Sequence, residues 1–333
     1  MSEQKWGPIV ESATRAPSIH NTQPWRFEGD GDRLDVFYDP DRALPVLDPT
    51  GRQQIISCGI AVEFAVVALR AAGSAGEVTL LPEGTDADRL ARIERTGAWE
   101  TTADDRALGQ SIADRHTVRA AFQPRAVPAQ LVDRMRTAAA GHGIWVKAIT
   151  AEEEEVATAF LLSRAEDLER GDPAYLAELK RWVRTDPAAV DGVPAAAVPT
   201  ADPRERASNW LIRDFVAGTR AQRAFLPPGD PDAPPPSVER PTVLLLGSDN
   251  DDRRAWLDAG RALGMLLLAA TAAGLAASPL TQALDWPATR HQLRSRLHLL
   301  GHPQMLLRLG YPQAELPPVI SGRRPVADVL RTT

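Results

Sequence analysis

The chain has 333 residues, 44% hydrophobic and 25% charged, with a formal net charge of −6. That length suggests about two domains, or one large domain with insertions, and a core that needs no covalent staple. The acidic balance argues against sequence-independent nucleic-acid binding, and the single cysteine, Cys58, rules out an internal disulfide, as in a reducing cytoplasm.

The first residues lack an apolar run of the secretory type, so a cytoplasmic protein is expected. Leu263 to Ala277, the most apolar stretch, is too short and alanine-rich to span a bilayer. Trp6 to Ala16 reads as a helix. Arg15 to Phe27 follows as a stiff polar loop, because Pro17 and Pro24 fix their own φ and push Ala16 and Gln23 out of the helical region. Rigid polar loops between regular elements are frequent binding sites. The plainer reading gives Trp25 and Phe27 to the core. Arg26 to Tyr38 reads as a hairpin turning at Glu28 to Asp32. Arg52 to Ala72 reads as a buried helix stopped by Gly73. Glu77 to Pro82 suggests a strand, and Ala87 to Gly97 a strand or a helix.

Asp104 to Asp114 reads as a helix, Val127 onward as another with Pro128 near its first turn, and Ile144 to Ile149 as a strand. Glu152 to Lys180 reads as helical. Residues 184–241 form a proline-rich insertion, with a helix-like stretch at Asn209 to Phe225. It is read as a lid over a site, with a plain linker as the alternative. Thr242 to Gly247 reads as a buried strand, Asp252 to Gly274 as a second long apolar helix, and Ala276 to Gln282 as a loop. Pro287 to Leu299 reads as a helix and Pro303 to Tyr311 as a strand. The two long helices overlay without a gap, Gly59 on Gly260 and Ala72-Gly73 on Ala273-Gly274. One folding unit used twice would explain this, giving a pseudo-two-fold chain that acts as a monomer.

Arg115 and Arg119 are spaced i, i+4, so at a helix start they would project from one face with Thr117 between them. Free N–H groups and the helix dipole would add to an anion cradle there, with Arg323 and Arg324 as further contacts. A solvated basic turn is the plainer reading. No dinucleotide fingerprint, Walker loop or His-Glu-x-x-His occurs, and the 6 scattered histidines suggest no metal site. Cys58 sits on an apolar helix face and reads as core.

Together these motifs resemble the FMN-dependent nitroreductase family. Pro17-Ser18-x-x-Asn21-x-Gln23-Pro24-Trp25 is similar to its Pro-Ser-x-x-Asn-x-Gln-Pro-Trp loop. Arg115-His116-Thr117-x-Arg119 is similar to its Arg-x-Ser-x-Arg phosphate motif. Leu263 to Pro279, Gln304 to Pro312 and Gly322-Arg323-Arg324-Pro325 resemble later family segments. The order, with the polar loop ahead of the phosphate motif, resembles the Acg-type branch, in which two nitroreductase-like halves share one chain.

The resemblance implies an α+β, internally duplicated fold of mixed sheet flanked by helices, with long buried central helices. The halves would be residues 1–103 and 104–333. It implies FMN as cofactor, NAD(P)H as transient electron donor, and a small acceptor such as a nitroaromatic or quinone. Pro17, Ser18, Asn21 and Gln23 would face Arg115, His116, Thr117, Arg119, Arg323 and Arg324 across one complete site. Gly141 to Trp145 stands where a second polar loop would be, so the mirror site should be degenerate. Pro279, Leu280, Thr281 and Gln282 stand where family members place a backbone donor near flavin N5, with the N–H of Thr281 or Gln282 as that donor. The Gln282 side chain would crowd the ring. No protein nucleophile is implied, because the flavin carries the chemistry. A flavin store without turnover, or a flavin dehydrogenase acting on a biosynthetic intermediate, would share these features.

Overall fold

The computed structural model describes residues 2–85, 87–195, 239, 241–313 and 319–332. The expected helix at 209–225, and most of the insertion read as a lid, lie outside the described residues. The first half runs α1 (Ser2–Thr14), β1 (Trp25–Asp30), β2 (Arg33–Tyr38), α2 (Arg52–Ala71), β3 (Ser74–Leu80) and β4 (Arg89–Ala98). After α3 (Ala103–Asp114), the second half opens with α4 (Ala129–Ala140) and β5 (Trp145–Ile149). Next come α5 (Glu152–Gly171), α6 (Pro173–Trp182) and the short strands β6 (Val183–Arg184) and β7 (Val193–Pro194). The rest is β8 (Thr242–Ser248), α7 (Arg253–Ala272), β9 (Ala276–Pro279), α8 (Gln282–Asp285), α9 (Pro287–Arg296), β10 (His302–Gly310), α10 (Val326–Val329) and β11 (Leu330–Thr332).

The two halves share one topology. The first sheet is ordered β1-β2-β4-β3 with α2 between β2 and β3, and the second β5-β8-β10-β9 with α7 between β8 and β9. Both long helices have 20 residues, and a left-handed glycine follows each, Gly73 at φ 77° and Gly274 at φ 73°. The tight turn at Gly31 and Asp32 that joins β1 to β2 has as its counterpart the whole stretch between β5 and β8, insertion included. The tail then crosses back, and β11 pairs in parallel with β1 on the edge of the first sheet.

The core lies where α2 and α7 cross. Nearly all of α2 is buried, Arg52 through Leu69. By length and composition it could cross a membrane, but 89% of its apolar window is buried inside the protein. A Cβ on Gly260 would stand 2.8 Å from the Gly59 Cα and run into the Ile56 carbonyl. One on Gly59 would stand 3.0 Å from the Gly260 Cα and run into the Leu257 carbonyl. The glycines that overlay in the sequence therefore touch at the pseudo-two-fold axis. Backbones this close leave room for no side chain.

The structure revises several expected elements. Residues 276–282 form a strand and the start of a helix, because the β9 backbone pairs with β10 from Ala276 to Pro279. The stretch 152–180 is two helices broken at Asp172-Pro173, where the Asp172 carboxylate caps the second by accepting from Ala174 and Tyr175 N–H. Residues 89–98 resolve as strand β4, paired on both sides. The expected boundary at 103/104 falls on the first turn of α3, which packs against both α2 and α7.

Asp48 caps α2 from below, accepting from the Gln54 N–H at 2.9 Å. Burial pushes its carboxyl up to about 6, against the opposing pull of the Gln54 N–H and Arg52. A raised folded value means that this group's stabilising contribution is present below the ordinary carboxylate range and lost as pH rises through about 6. Asp48→Asn keeps the acceptor and removes the buried charge. Denaturant melts should show it more stable than the parent at pH 8, by up to roughly 3 kcal/mol, with the difference gone near pH 4. Equal stability at both pH values would refute this reading of the cap.

Candidate active site

The polar loop is held in an unusual backbone shape. His20, Asn21 and Gln23 have φ of 46°, 53° and 50°, left-handed values that side chains rarely adopt. Trp25 and Phe27 are fully buried, so the end of the loop belongs to the core. Hydrogen bonds hold the rest. Ser18 Oγ accepts from the Gln23 N–H at 2.9 Å, and Ser57 Oγ accepts from the Ile19 N–H at 3.1 Å. The Gln23 amide donates to the Val190 carbonyl at 2.8 Å and accepts from the Arg324 N–H at 2.8 Å. The Asn21 amide donates to the Gly192 and Gly322 carbonyls, each at 3.1 Å, and accepts from the Arg323 guanidinium at 3.2 Å. These two amides bind the loop to the start of the insertion and to the tail.

The basic motif is extended, which corrects the expected helical face. α3 ends at Asp114, and Arg115 takes φ −71° and ψ 124°. Thr117 bridges to Ala277 of β9, and the Val118 N–H donates to the Ala277 carbonyl at 3.1 Å. No helix N-terminus is present here, so its dipole contributes nothing. Arg115, Thr117 and Arg119 share a side through the alternation of an extended chain instead. The far end of the segment is pinned from β10. Arg308 donates to the Ala120 carbonyl at 2.9 Å, stacks on the Phe122 ring at 4.5 Å, and pairs with Glu239 at 2.7 Å. Glu239 also accepts from the Phe122 N–H.

Cations outnumber carboxylates at this end: Arg15, Arg115, Arg119 and Arg323 line it with one acid, Asp114. Arg115 and Arg323 both donate to the Arg15 carbonyl, at 3.1 and 3.3 Å. Among the described residues no carboxylate lies within ion-pair distance of either guanidinium. Both Nε atoms are buried without a partner among those residues. Burial, then Arg323, pushes the Arg115 guanidinium down to about 9, and burial, then Arg15, pushes Arg323 down to about 10. Both remain cations at neutral pH. Burial and Arg115 also lower the His116 value, which keeps that ring neutral there. Buried cations without counter-charge are costly, and an arriving anion would relieve that cost.

Loop and motif line one continuous cleft. Its apolar compartment, open to solvent, spans about 790 Å³ between Ile56 and Ile60 of α2 and Leu263 and Leu267 of α7. Its cationic compartment, also open to solvent, spans about 990 Å³. Pro17, Ser18, His20, Thr117 and Arg119 line both. Pro279 and Thr281 line the apolar part, and Asn21, Arg115, His116 and Arg323 the cationic part. Three expected contacts are not in the lining. Gln23 is fully buried in the hydrogen bonds above. Arg324 turns toward Asp39 at 3.5 Å and the Asp328 carbonyl at 3.1 Å. Leu280 packs into a second core with Ala283, Leu284 and Leu306. Gln282 is buried and is not among the lining residues.

Gln53, Ser57 and Ser278 also line the cleft and were not expected. Gln53 and Ser57 had a signal: they are polar, one turn apart, on the α2 face that carries Ile56 and Ile60. At the mirror position the overlay sets Arg261 opposite Ile60. Arg261 pairs with buried Glu63 at 2.9 Å, and His142 stands 3.9 Å from the same carboxylate.

Residues 112–311 match the nitroreductase family. The chain belongs to that family. A Mycobacterium tuberculosis protein provisionally named NAD(P)H nitroreductase Rv3131 is 35% identical over 328 residues, 97% of this chain and 90% of its own. A second, similarly named acg, is 31% identical over 324 residues, 96% and 93% of the two chains. Among solved structures, an FMN- and NADPH-dependent nitroreductase, NfnB from Sphigopyxis, is 21% identical, with 67% and 97% coverage and a TM-score of 0.40. Membership rests on the sequence matches. The α+β architecture, sheets flanked by helices around two long buried ones, is that of a nitroreductase-like fold, and such a chain is an oxidoreductase.

Proposed function

We propose that the cleft holds FMN and that the protein passes electrons from NAD(P)H to a small acceptor, a nitroaromatic or a quinone. One observation carries the reading. Two guanidiniums with buried Nε atoms, Arg115 and Arg323, have no ion-pair partner among the described residues, at one end of a cleft whose other end is a slot between apolar helix faces. A phosphate monoester on a flat ring system matches both ends. FMN bound there supplies a ring position that accepts and releases hydride.

The remaining roles belong to the chain. Arg115 and Arg323 hold the phosphate, with Thr117 and neutral His116 as further donors. Asn21 aims Arg323. Ser18 keeps its hydroxyl proton available, because its oxygen already accepts from Gln23. Arg119 lines both compartments and so stands where positive charge offsets negative charge gathering on the ring. Ile56, Ile60, Leu263 and Leu267 exclude water. Pro279 and Thr281 line the slot while Leu280 and Gln282 turn away, which favours turnover over storage. The halves, residues 1–103 and 104–333, act as a monomer, the first giving the polar loop and the second the phosphate motif.

The purified protein should be yellow and should bleach anaerobically with NAD(P)H. A flavin that stays oxidised with both nicotinamides would end the enzymatic reading. A colourless protein that takes up no FMN would end the whole of it.

A further inference from the structure

We infer that Met305 is an oxidation site, at which peroxide closes the cleft while it stands empty; the closing half of the inference rests on the proposed function. Met305 lies in β10, and alternation along the strand sorts it from its neighbours. Leu306 packs into the second core, while Met305 and Leu307 belong to the core around α2 and α7. Only 5% of Met305 is exposed, yet it lines the apolar compartment together with Ile56, Ile60, Leu263 and Leu267. The thioether therefore meets solution through the cleft, and nothing in the proposed chemistry uses it. The two other described methionines differ. Met135 on α4 is buried in the core and is not in the lining of the cleft. Met265 on α7 is half-buried against the same core and is not in that lining either.

Hydrogen peroxide is the oxidant that fits the site. It is small and uncharged, so it enters an apolar compartment open to solvent without a charged partner. A sulfur lone pair attacks one peroxide oxygen and the O–O bond breaks. The other oxygen leaves as water, carrying both hydrogens of the peroxide. Sulfur is oxidised by two electrons to the sulfoxide, and the peroxide is reduced. The product is a polar, chiral group with a strong acceptor, in a compartment walled by isoleucine and leucine. A flat ring loses its fit there, because an acceptor covered without a donor is costly. A ring already in place keeps peroxide from the sulfur. Oxidation thus falls on the empty protein and keeps it empty, and a methionine sulfoxide reductase reverses the change.

Peroxide treatment of the cofactor-stripped protein, followed by peptide mass spectrometry, tests the site without turnover. Met305 should gain one oxygen atom faster than core Met135. FMN at ten times its Kd should slow Met305 about 10-fold, the fraction of protein left empty, and leave the rate at Met265 unchanged. The oxidised protein should bind FMN roughly 10-fold more weakly or worse. Met305→Leu, a change that conserves volume, should lose none of its own affinity in the same treatment. Met305 that oxidises no faster than Met135, or at one rate with and without FMN, overturns the inference. So does a parent whose FMN affinity survives complete oxidation of Met305, or an equal loss in Met305→Leu, which assigns the damage to another residue. Should Met305→Leu fail to fold, the protection of Met305 relative to Met265 in the parent decides alone. A protein that takes up no FMN ends the proposed function, and the rate at Met305 against that at Met135 then still decides whether the site exists.

Discussion

Gly260→Ala will destabilise the protein by roughly 3 kcal/mol or more, at the upper end of what overpacking costs. The added methyl meets backbone on the facing helix, the Ile56 carbonyl and the Gly59 Cα, and backbone cannot rotate aside as a side chain can. Gly59→Ala should behave alike, through the Leu257 carbonyl. The same crossing sets the gap between Ile56 and Ile60 on one side and Leu263 and Leu267 on the other. Any fraction that folds should therefore bind flavin poorly. Gly171→Ala is the matching control: nothing lies within 4 Å of its added methyl, and it closes α5, so the change should be neutral or slightly stabilising. Denaturant melts of the three variants decide the matter. A Gly260→Ala protein as stable as the parent would show that the helices can separate freely.

Arg323→Met should weaken FMN binding about 100-fold, in line with the loss of a charge-assisted contact worth about 2–3 kcal/mol. Its effect on the cofactor-free protein should have the opposite sign. Arg323 is a like charge beside buried Arg115 and helps push it down, so removing it relieves repulsion. The cofactor-free variant should melt no lower than the parent, and higher if the relief exceeds the lost hydrogen bonds to Asn21 and Arg15. Arg324→Ala reverses the pattern. Its side chain holds Asp39 and the tail, so it should lose stability with much less direct effect on phosphate affinity. Fluorescence titration with FMN at fixed salt, together with melts of the stripped proteins, reads both quantities. Equal losses of affinity in the two variants would mean that these neighbouring arginines have the same job.

Much of this was legible in the sequence, and the reasons are local. Proline on both sides of Ser18 to Gln23 announces a rigid loop, and the glycine-for-glycine overlay of the long helices announces their contact. The shape of the basic motif was misread because two periods fit Arg115 and Arg119. Four residues apart suits a helical face, but Arg-x-Thr-x-Arg is also a period of two, and the β-branched Thr117 and Val118 favour the extended form that β9 stabilises. Arg323 and Arg324 looked equivalent because alternation along an extended chain shows only once its neighbours are known. The Gln53 amide was missed for a different reason. Its orientation is set by Asp285, far along the chain on a helix of four residues, and no local pattern reports such a pairing.

The crossing of the tail has a consequence for how the protein matures. A ribosome delivers the polar loop early, the phosphate motif next, and Arg323 after every other wall of the cleft. Until Arg323 emerges, Asn21 lacks two of its partners and the nascent cleft is one cation short. Cofactor capture is thereby deferred to the last steps of biosynthesis, and a chain stalled before its tail would leave the translation machinery largely empty-handed.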